Sequence, residues 1–112
     1  MTPVKNRGES RLIGGFETVA EHNLEQREIL YAGRVQGVGF RFTVRSVAAQ
    51  FGVTGFVRNL PDGRVQLVVE GDPGEVGGLL DAVKAEMSRY IRDVQETARP
   101  ATGRFGAFEI RH

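Results

Sequence analysis

The sequence contains no cysteine and has almost no net charge. The absence of cysteine excludes disulfide frameworks, thiolate metal sites and cysteine nucleophiles, and it fits a reducing compartment. Charges or glycines interrupt every hydrophobic run, so we expect no membrane-spanning segment. The polar residues Gly8-Glu9-Ser10-Arg11 occupy the place where a signal peptide needs an apolar region. We therefore predict a cytoplasmic protein that does not contact a membrane.

The charged residues are nearly balanced, with 15 Lys and Arg against 14 Asp and Glu, for a formal net charge of +1. Such a chain has no broad electrostatic field for nucleic acid, so any anion site must be local. The acidic residues show no metal-ligand spacing, and we expect both histidines, His22 and His112, to be solvated. The sequence thus predicts no metal, no cofactor and no nucleic-acid partner, and we expect a monomer.

The chain has 112 residues, which is long enough for one folded domain. Residues 1–25 are polar and show no sustained period of two or 3.6, which predicts a flexible amino-terminal extension. We expect the folded domain to cover residues 26–112.

Within that domain, hydrophobic periodicity predicts two helices and several strands. Phe40 begins an apolar stripe that continues through Val44, Val47, Ala48 and Phe51. A second helix is predicted to open at Asp72 or Pro73, with a buried stripe of Val76, Leu79, Leu80, Val83, Met87 and Tyr90. Strands are predicted over residues 28–32, 53–59, 64–70, 93–98 and 105–111.

The order strand, helix, strand, strand, helix, strand is typical of the split βαβ arrangement. We therefore predict an α+β fold, a ferredoxin-like βαββαβ sandwich. In this fold an antiparallel sheet would carry two helices on one face and leave the other face more open.

The segment from Gly33 to Arg41 is a glycine-containing loop between a predicted strand and a predicted helix. Free N–H groups at a helix start, together with the helix dipole, suit a phosphate, and Arg41 could add a planar fork of donors. The alternative is that the glycines only make a tight turn and that Arg41 is solvated. The segment matches neither the nucleotide P-loop nor the dinucleotide-binding pattern.

Two motifs in this sequence resemble those of acylphosphatases. Gly33-Arg34-Val35-Gln36-Gly37-Val38-Gly39-Phe40-Arg41 resembles the family's phosphate loop, G-x-V-Q-G-V-x-F-R. Gly55-Phe56-Val57-Arg58-Asn59, followed by Gly63, Val65 and Gly71, resembles its second motif. The resemblance covers roughly Gln26 to His112. It departs from the family at Tyr31, where an aliphatic residue is usual, and at Ser88-Arg89-Tyr90-Ile91, which replaces a common Gly-Pro turn.

The resemblance implies a ferredoxin-like fold and an enzyme that hydrolyses small-molecule acyl phosphates to carboxylate and inorganic phosphate. It implies that Arg41 and Asn59 are catalytic, with Arg41 gripping the phosphoryl oxygens and Asn59 holding the attacking water. The phosphate-binding residues it implies are Gln36, Gly37, Val38, Gly39, Phe40 and Arg41. A carboxylate leaving group needs no general acid, so no metal or histidine is required.

Two alternatives remain open on the residues alone. Asn59 could be a turn residue that caps a hairpin. The whole chain could be a non-catalytic anion-binding module, or an RNA-binding ferredoxin-like module that stacks bases on Phe56 and Tyr31 at an open sheet face. The balanced charge and the absence of the expected RNA motif weigh against RNA.

Overall fold

The computed structural model describes residues 24–112, which form five strands and two helices. In chain order these are β1 (Glu25–Gly33), α1 (Phe40–Ala48), β2 (Val53–Asn59), β3 (Val65–Gly71), α2 (Pro73–Met87), β4 (Ile91–Pro100) and β5 (Phe108–Arg111). Neither helix in this part of the chain is long and apolar enough to cross a membrane. The predicted order of elements is confirmed, and both helices pack on one face of a single sheet.

The strands lie in the order β4-β1-β3-β2-β5. The first four pair antiparallel, as predicted, but β5 pairs parallel with β2, so the sheet is mixed. The reason is the path of the chain after β4. That strand ends with Pro100 opposite Glu25, and residues 101–107 then cross the sheet to start β5 at the same end from which β2 starts.

The core lies between the helices and the alternate strand residues that face them. In α1, the predicted residues Phe40, Val44, Val47 and Ala48 are buried. Phe51, which the predicted stripe also included, lies beyond the end of the helix and is partly buried. In α2, Val76, Leu79, Val83 and Met87 are buried. Leu80 and Tyr90 are only partly buried, and Tyr90 lies beyond the end of the helix.

Tyr31 belongs to this core and not to the open face of the sheet. It is 3% exposed, and its ring contacts that of Phe40 with centroids 5.0 Å apart. Because side chains alternate along a strand, Tyr31 shares the helix-facing side of β1 with buried Ile29. The expectation that Tyr31 could stack a base on an open face is therefore wrong.

Several strand boundaries differ from the predicted ones because pairing partners extend or shorten the strands. β1 starts at Glu25 since it pairs along its length with both β3 and β4, and β4 is correspondingly longer than predicted. β5 is shorter because Phe105 lies in the crossing segment, where its ring packs on Phe56. The proposed extension over residues 1–25 lies almost entirely outside the described residues.

Glu70 fixes the crossing segment to the open face of the sheet. Its buried carboxylate accepts hydrogen bonds from Gln26 Nε2 (2.7 Å), Thr102 N (2.8 Å), Thr102 Oγ1 (2.7 Å) and Gly103 N (3.0 Å). Burial alone would raise the pKa of Glu70, but these hydrogen bonds outweigh it and leave the pKa below its ordinary value. The ionised carboxylate is thus the form that the fold stabilises.

Replacing Glu70 with glutamine should lower the free energy of unfolding by about 1–3 kcal/mol at pH 7, because an amide cannot accept from all four donors. Since the folded pKa is depressed, this contribution is present above the unfolded pKa, about 4.3, and is lost as pH falls through the folded pKa. Urea unfolding at several pH values should show the parent and Glu70→Gln converging in acid. Glu86→Gln, at an exposed helix position, is the control. A difference that does not vary with pH would contradict this role.

Candidate functional site

The predicted site residues meet at one edge of the sheet. β1, β2 and β5 run in the same direction, so their carboxyl ends lie at the same edge of the sheet. The loop after β1 and the first turn of α1 line a cavity there together with Asn59, at the end of β2. This cavity has a volume of about 190 Å³. It is lined by Val35, Gly37, Gly39, Phe40, Arg41, Phe42 and Asn59. The fold thus brings Arg41 and Asn59 to one cavity, whereas the predicted loop residues Gln36 and Val38 do not line it.

The loop backbone at this cavity depends on two glycines. Gly37 and Gly39 have φ angles of 78° and 77°, in the left-handed region that residues with a Cβ adopt only at a cost. Gly39 is also the residue that caps the start of α1. These glycines therefore allow the chain to turn sharply into the helix beside the cavity.

The first turn of α1 supplies hydrogen-bond donors without an opposing negative charge. Thr43 is the first residue whose N–H bonds back into the helix, to the carbonyl of Gly39 at 3.0 Å, so the amides before it have no helical partner. The first turn contains no acidic residue. Free amides and the positive end of the helix dipole make this a favourable place for an anion.

The side chain of Gln36 ties the loop to the hairpin between β2 and β3. Its Nε2 donates to the carbonyl oxygens of Leu60 at 2.8 Å and Arg64 at 3.0 Å. The sequence pattern did not indicate this tether, because its partners lie 24 and 28 residues away along the chain. Gln36 therefore holds the loop against the turn that directly follows Asn59.

The start of the loop is fixed in a different way. The N–H of Arg34 donates to the carbonyl of Tyr90 at 2.9 Å, while the Arg34 side chain is exposed. Val35 is buried in the core and Val38 packs against it. Backbone pairing and apolar anchoring thus limit how far the loop can move.

Arg41 is held by the end of β5. Its Nη1 donates to the carbonyl of Arg111 at 3.3 Å and lies 3.2 Å from Nδ1 of His112. A guanidinium can only donate, so we assign Nδ1 as the acceptor, with the imidazole proton on Nε2. His112 is exposed, as expected for a solvated residue, but it also contacts a predicted catalytic residue.

Asn59 is the last residue of β2, opposite Val65. The turn that follows is closed by other groups: Leu60 N donates to Arg64 O at 2.8 Å, and Asp62 Oδ1 accepts from Arg64 N at 3.0 Å. Hydrogen bonds from Arg64 also lower the pKa of Asp62. Capping of this hairpin was the alternative role for Asn59, but it is the side chain of Asp62 that caps the turn.

The open face of the sheet does not present a free aromatic surface beside the site. Phe56 lies on this face but is only 8% exposed, since the Phe105 ring lies 5.8 Å away and the Arg111 guanidinium lies 4.1 Å from its ring centroid. The Phe56 ring is therefore not free to stack a base in the way that the RNA-binding alternative assumed. Among residues 24–112, no group of three histidine or acidic side chains could hold a metal ion.

Phosphate is the anion that the sequence predicts for this cavity, and replacing His112 with alanine should weaken its binding by about three- to tenfold, the effect of losing one modest hydrogen bond to Arg41. His112→Asn should bind within about twofold of the parent, because its Oδ1 can take the acceptor position of Nδ1. Titration calorimetry with phosphate measures both variants. Equal losses in the two variants would contradict the role of Nδ1 as an acceptor.

The sequence and the structure were compared with those of known proteins. The family model described as Acylphosphatase matches residues 27–110. An acylphosphatase of Methylococcus capsulatus is 43% identical over 90 residues, which cover 78% of this chain and 96% of that protein. The crystal structure of acylphosphatase from Bacillus subtilis matches with a TM-score of 0.71 and 31% identity, over 79% of this chain and 99% of that one. An acylphosphatase structure from Coxiella burnetii matches with a TM-score of 0.71 and 27% identity, over 85% and 100% of the two chains.

Proposed function

The chain belongs to the acylphosphatase family, and from this membership and its site we propose that it hydrolyses acyl phosphates without a metal, using Arg41, Asn59 and the loop amides. It is a hydrolase acting on acid anhydrides. One observation supports the mechanism most directly: Arg41 and Asn59, 18 positions apart in sequence, line the same small cavity as the glycine loop. The anion-binding groups and a neutral polar side chain are therefore available to one substrate.

In the proposed reaction, amides of the loop over residues 36–41 and the guanidinium of Arg41 bind the phosphoryl oxygens; of these residues, Gly37, Gly39, Phe40 and Arg41 line the cavity. Charge on these oxygens is stabilised by donors that are already in place before the substrate arrives. The positive end of the α1 dipole adds to this stabilisation of the phosphoryl oxygens. Binding thus both fixes the phosphorus and neutralises the charge that would repel a nucleophile.

Asn59 would orient the water that attacks phosphorus in line with the leaving oxygen. The new bond forms between the water oxygen and phosphorus while the bond from phosphorus to the carboxyl oxygen breaks, and the carboxylate leaves with the electron pair. The water protons remain with the phosphate product or pass to solvent. A carboxylate is stable without a proton near neutral pH, so no general acid is needed.

We further propose that the enzyme is a cytoplasmic monomer that acts on a free small molecule. Its catalytic unit would be residues 26–112, with residues 1–25 as a flexible extension. The strands and helices of the described part all lie within or directly beside that unit.

The direct test is turnover of a synthetic aryl acyl phosphate in the presence of a chelator. We expect full activity after divalent metals are removed, because Arg41 and the helix terminus supply the positive charge that a metal would otherwise provide. Release of inorganic phosphate is measured with and without added magnesium. Activity that is lost with chelator and restored by magnesium would overturn the metal-free mechanism, and no hydrolysis at all would favour the anion-binding alternative.

Replacing Asn59 with alanine should separate catalysis from phosphate binding. Turnover should fall roughly a hundredfold to a thousandfold, the cost of removing one oriented polar contact that acts in the transition state. Competitive inhibition by phosphate should stay within a few-fold of the parent, because Arg41 and the loop amides are unchanged. Turnover, inhibition and melting temperature are measured on one preparation. A stable variant with near-parental turnover would remove Asn59 from the mechanism.

Arg41→Lys provides the contrast, since an ammonium cannot reproduce the planar fork of a guanidinium from the same position. It should weaken phosphate binding and turnover together. Arg34→Ala is the matched control because its side chain is exposed and only its backbone anchors the loop. Equal losses in both variants would mean that general positive charge, not the geometry of Arg41, operates the site.

A further inference from the structure

Phe42 is an apolar side chain in an unusual place. At 58% exposure it is the most exposed large hydrophobic residue of the described part of the chain, yet it also lines the cavity that contains Arg41 and Asn59. Exposing an aromatic ring costs solvation free energy that a polar residue at this helix position would avoid. The ring therefore offers apolar surface at the mouth of a site that is otherwise built for an anion.

The ring is also supported from one side. The guanidinium of Arg45 lies 5.4 Å from the Phe42 ring centroid, three residues further along α1, a spacing that brings side chains together on a helix. This contact places Arg45 against the ring and still leaves more than half of the residue open. Phe42 thus presents an open apolar surface with Arg45 packed against its ring.

The direction of the reaction indicates which part of the substrate reaches this surface. An in-line displacement places the leaving oxygen on the side of phosphorus opposite the attacking water. With the water held at Asn59 in the proposed mechanism, the acyl group would lie on the side of phosphorus away from Asn59, within the cavity that Phe42 also lines. Phe42 is the exposed apolar residue of the first turn of α1, and its neighbour Arg41 binds the phosphoryl group in the proposed mechanism.

We propose that Phe42, supported by Arg45, is an acyl-binding subsite that selects acyl phosphates with an aromatic or bulky apolar acyl group over those with a small one. This inference rests on the proposed hydrolysis of acyl phosphates. It assigns to the cavity a second function, substrate selection, that is separate from binding of the phosphoryl group. The subsite would act mainly on KM, because contact with the acyl group is made in the ground state and kept in the transition state.

The test compares benzoyl phosphate with acetyl phosphate. For each variant, the ratio of kcat/KM for the two substrates is measured, which cancels any general effect on the site. Phe42→Ala should lower this ratio about tenfold, within the range that lost apolar contacts produce in substrate selection, and mainly through KM. Phe42→Leu should retain most of the parental ratio, since leucine keeps a large apolar side chain at this position although it lacks the ring.

Val94→Ala is the matched control, because Val94 is also an exposed large hydrophobic residue but lies on β4, outside the site cavity. It should leave the ratio at the parental value. Phe42 is exposed, so its variants should melt like the parent. A parental ratio in Phe42→Ala would overturn the subsite, even if both activities fell together. If the parent hydrolysed neither substrate, the proposed function itself would fail, which is a different result.

Discussion

The site depends on the shared direction of three strands. β3 pairs antiparallel with both β1 and β2, so these two strands must run the same way, and β5 joins β2 in parallel. Their carboxyl ends therefore deliver the glycine loop, Asn59 and the end of β5 to one edge of the sheet. The burial of Val65, Leu67 and Val69 keeps β3 in this central position. The site is thus assembled by the pairing of β3, although β3 itself contributes no side chain to the cavity lining.

The glycine loop would be a flexible connection if it were fixed only at its ends. Instead it is held in the middle by Gln36, which bonds to the hairpin turn, and beside it by the buried side chains of Val35 and Phe40. Backbone amides that are already oriented lose little entropy and need little reorganisation when an anion binds. This would matter most in the proposed mechanism without a metal, where the amides would supply much of the positive potential.

Local patterns in the sequence predicted the parts of the fold that arise from local physics. The apolar stripe from Phe40 to Ala48 and the opening of α2 at Pro73 are properties of neighbouring residues, and the structure confirms both. The position of Tyr31 could also have been predicted, because it shares a strand face with Ile29. Because Tyr31 is aromatic, it was a candidate for stacking bases on the open face of the sheet. Its position two residues after Ile29 instead places it on the face that packs against the helices.

The remaining features could not be predicted because they join residues that are distant in sequence. The contact of Arg41 with His112 spans 71 positions, and the bond of Gln26 with Glu70 spans 44. The first contact requires the path of residues 101–107 across the open face, and that path depends on tertiary hydrogen bonds to Glu70 and not on any periodicity. The second joins two residues that are paired directly across β1 and β3, so it requires only the register of those strands. The motif indicated that Arg41 matters, while only the fold shows what holds it.

The partners of Arg41 also explain how its charge stays available. Arg64 pairs with Asp62 and Arg111 pairs with Glu109, so each of these guanidiniums faces a carboxylate that neutralises it. Within residues 24–112, Arg41 is held by a carbonyl and an imidazole nitrogen, which are neutral acceptors. They orient the guanidinium without cancelling its charge, whereas a carboxylate in the same place would compete with the phosphoryl group for it. In the proposed mechanism, the end of β5 would therefore position the cation and leave its electrostatic attraction for the substrate.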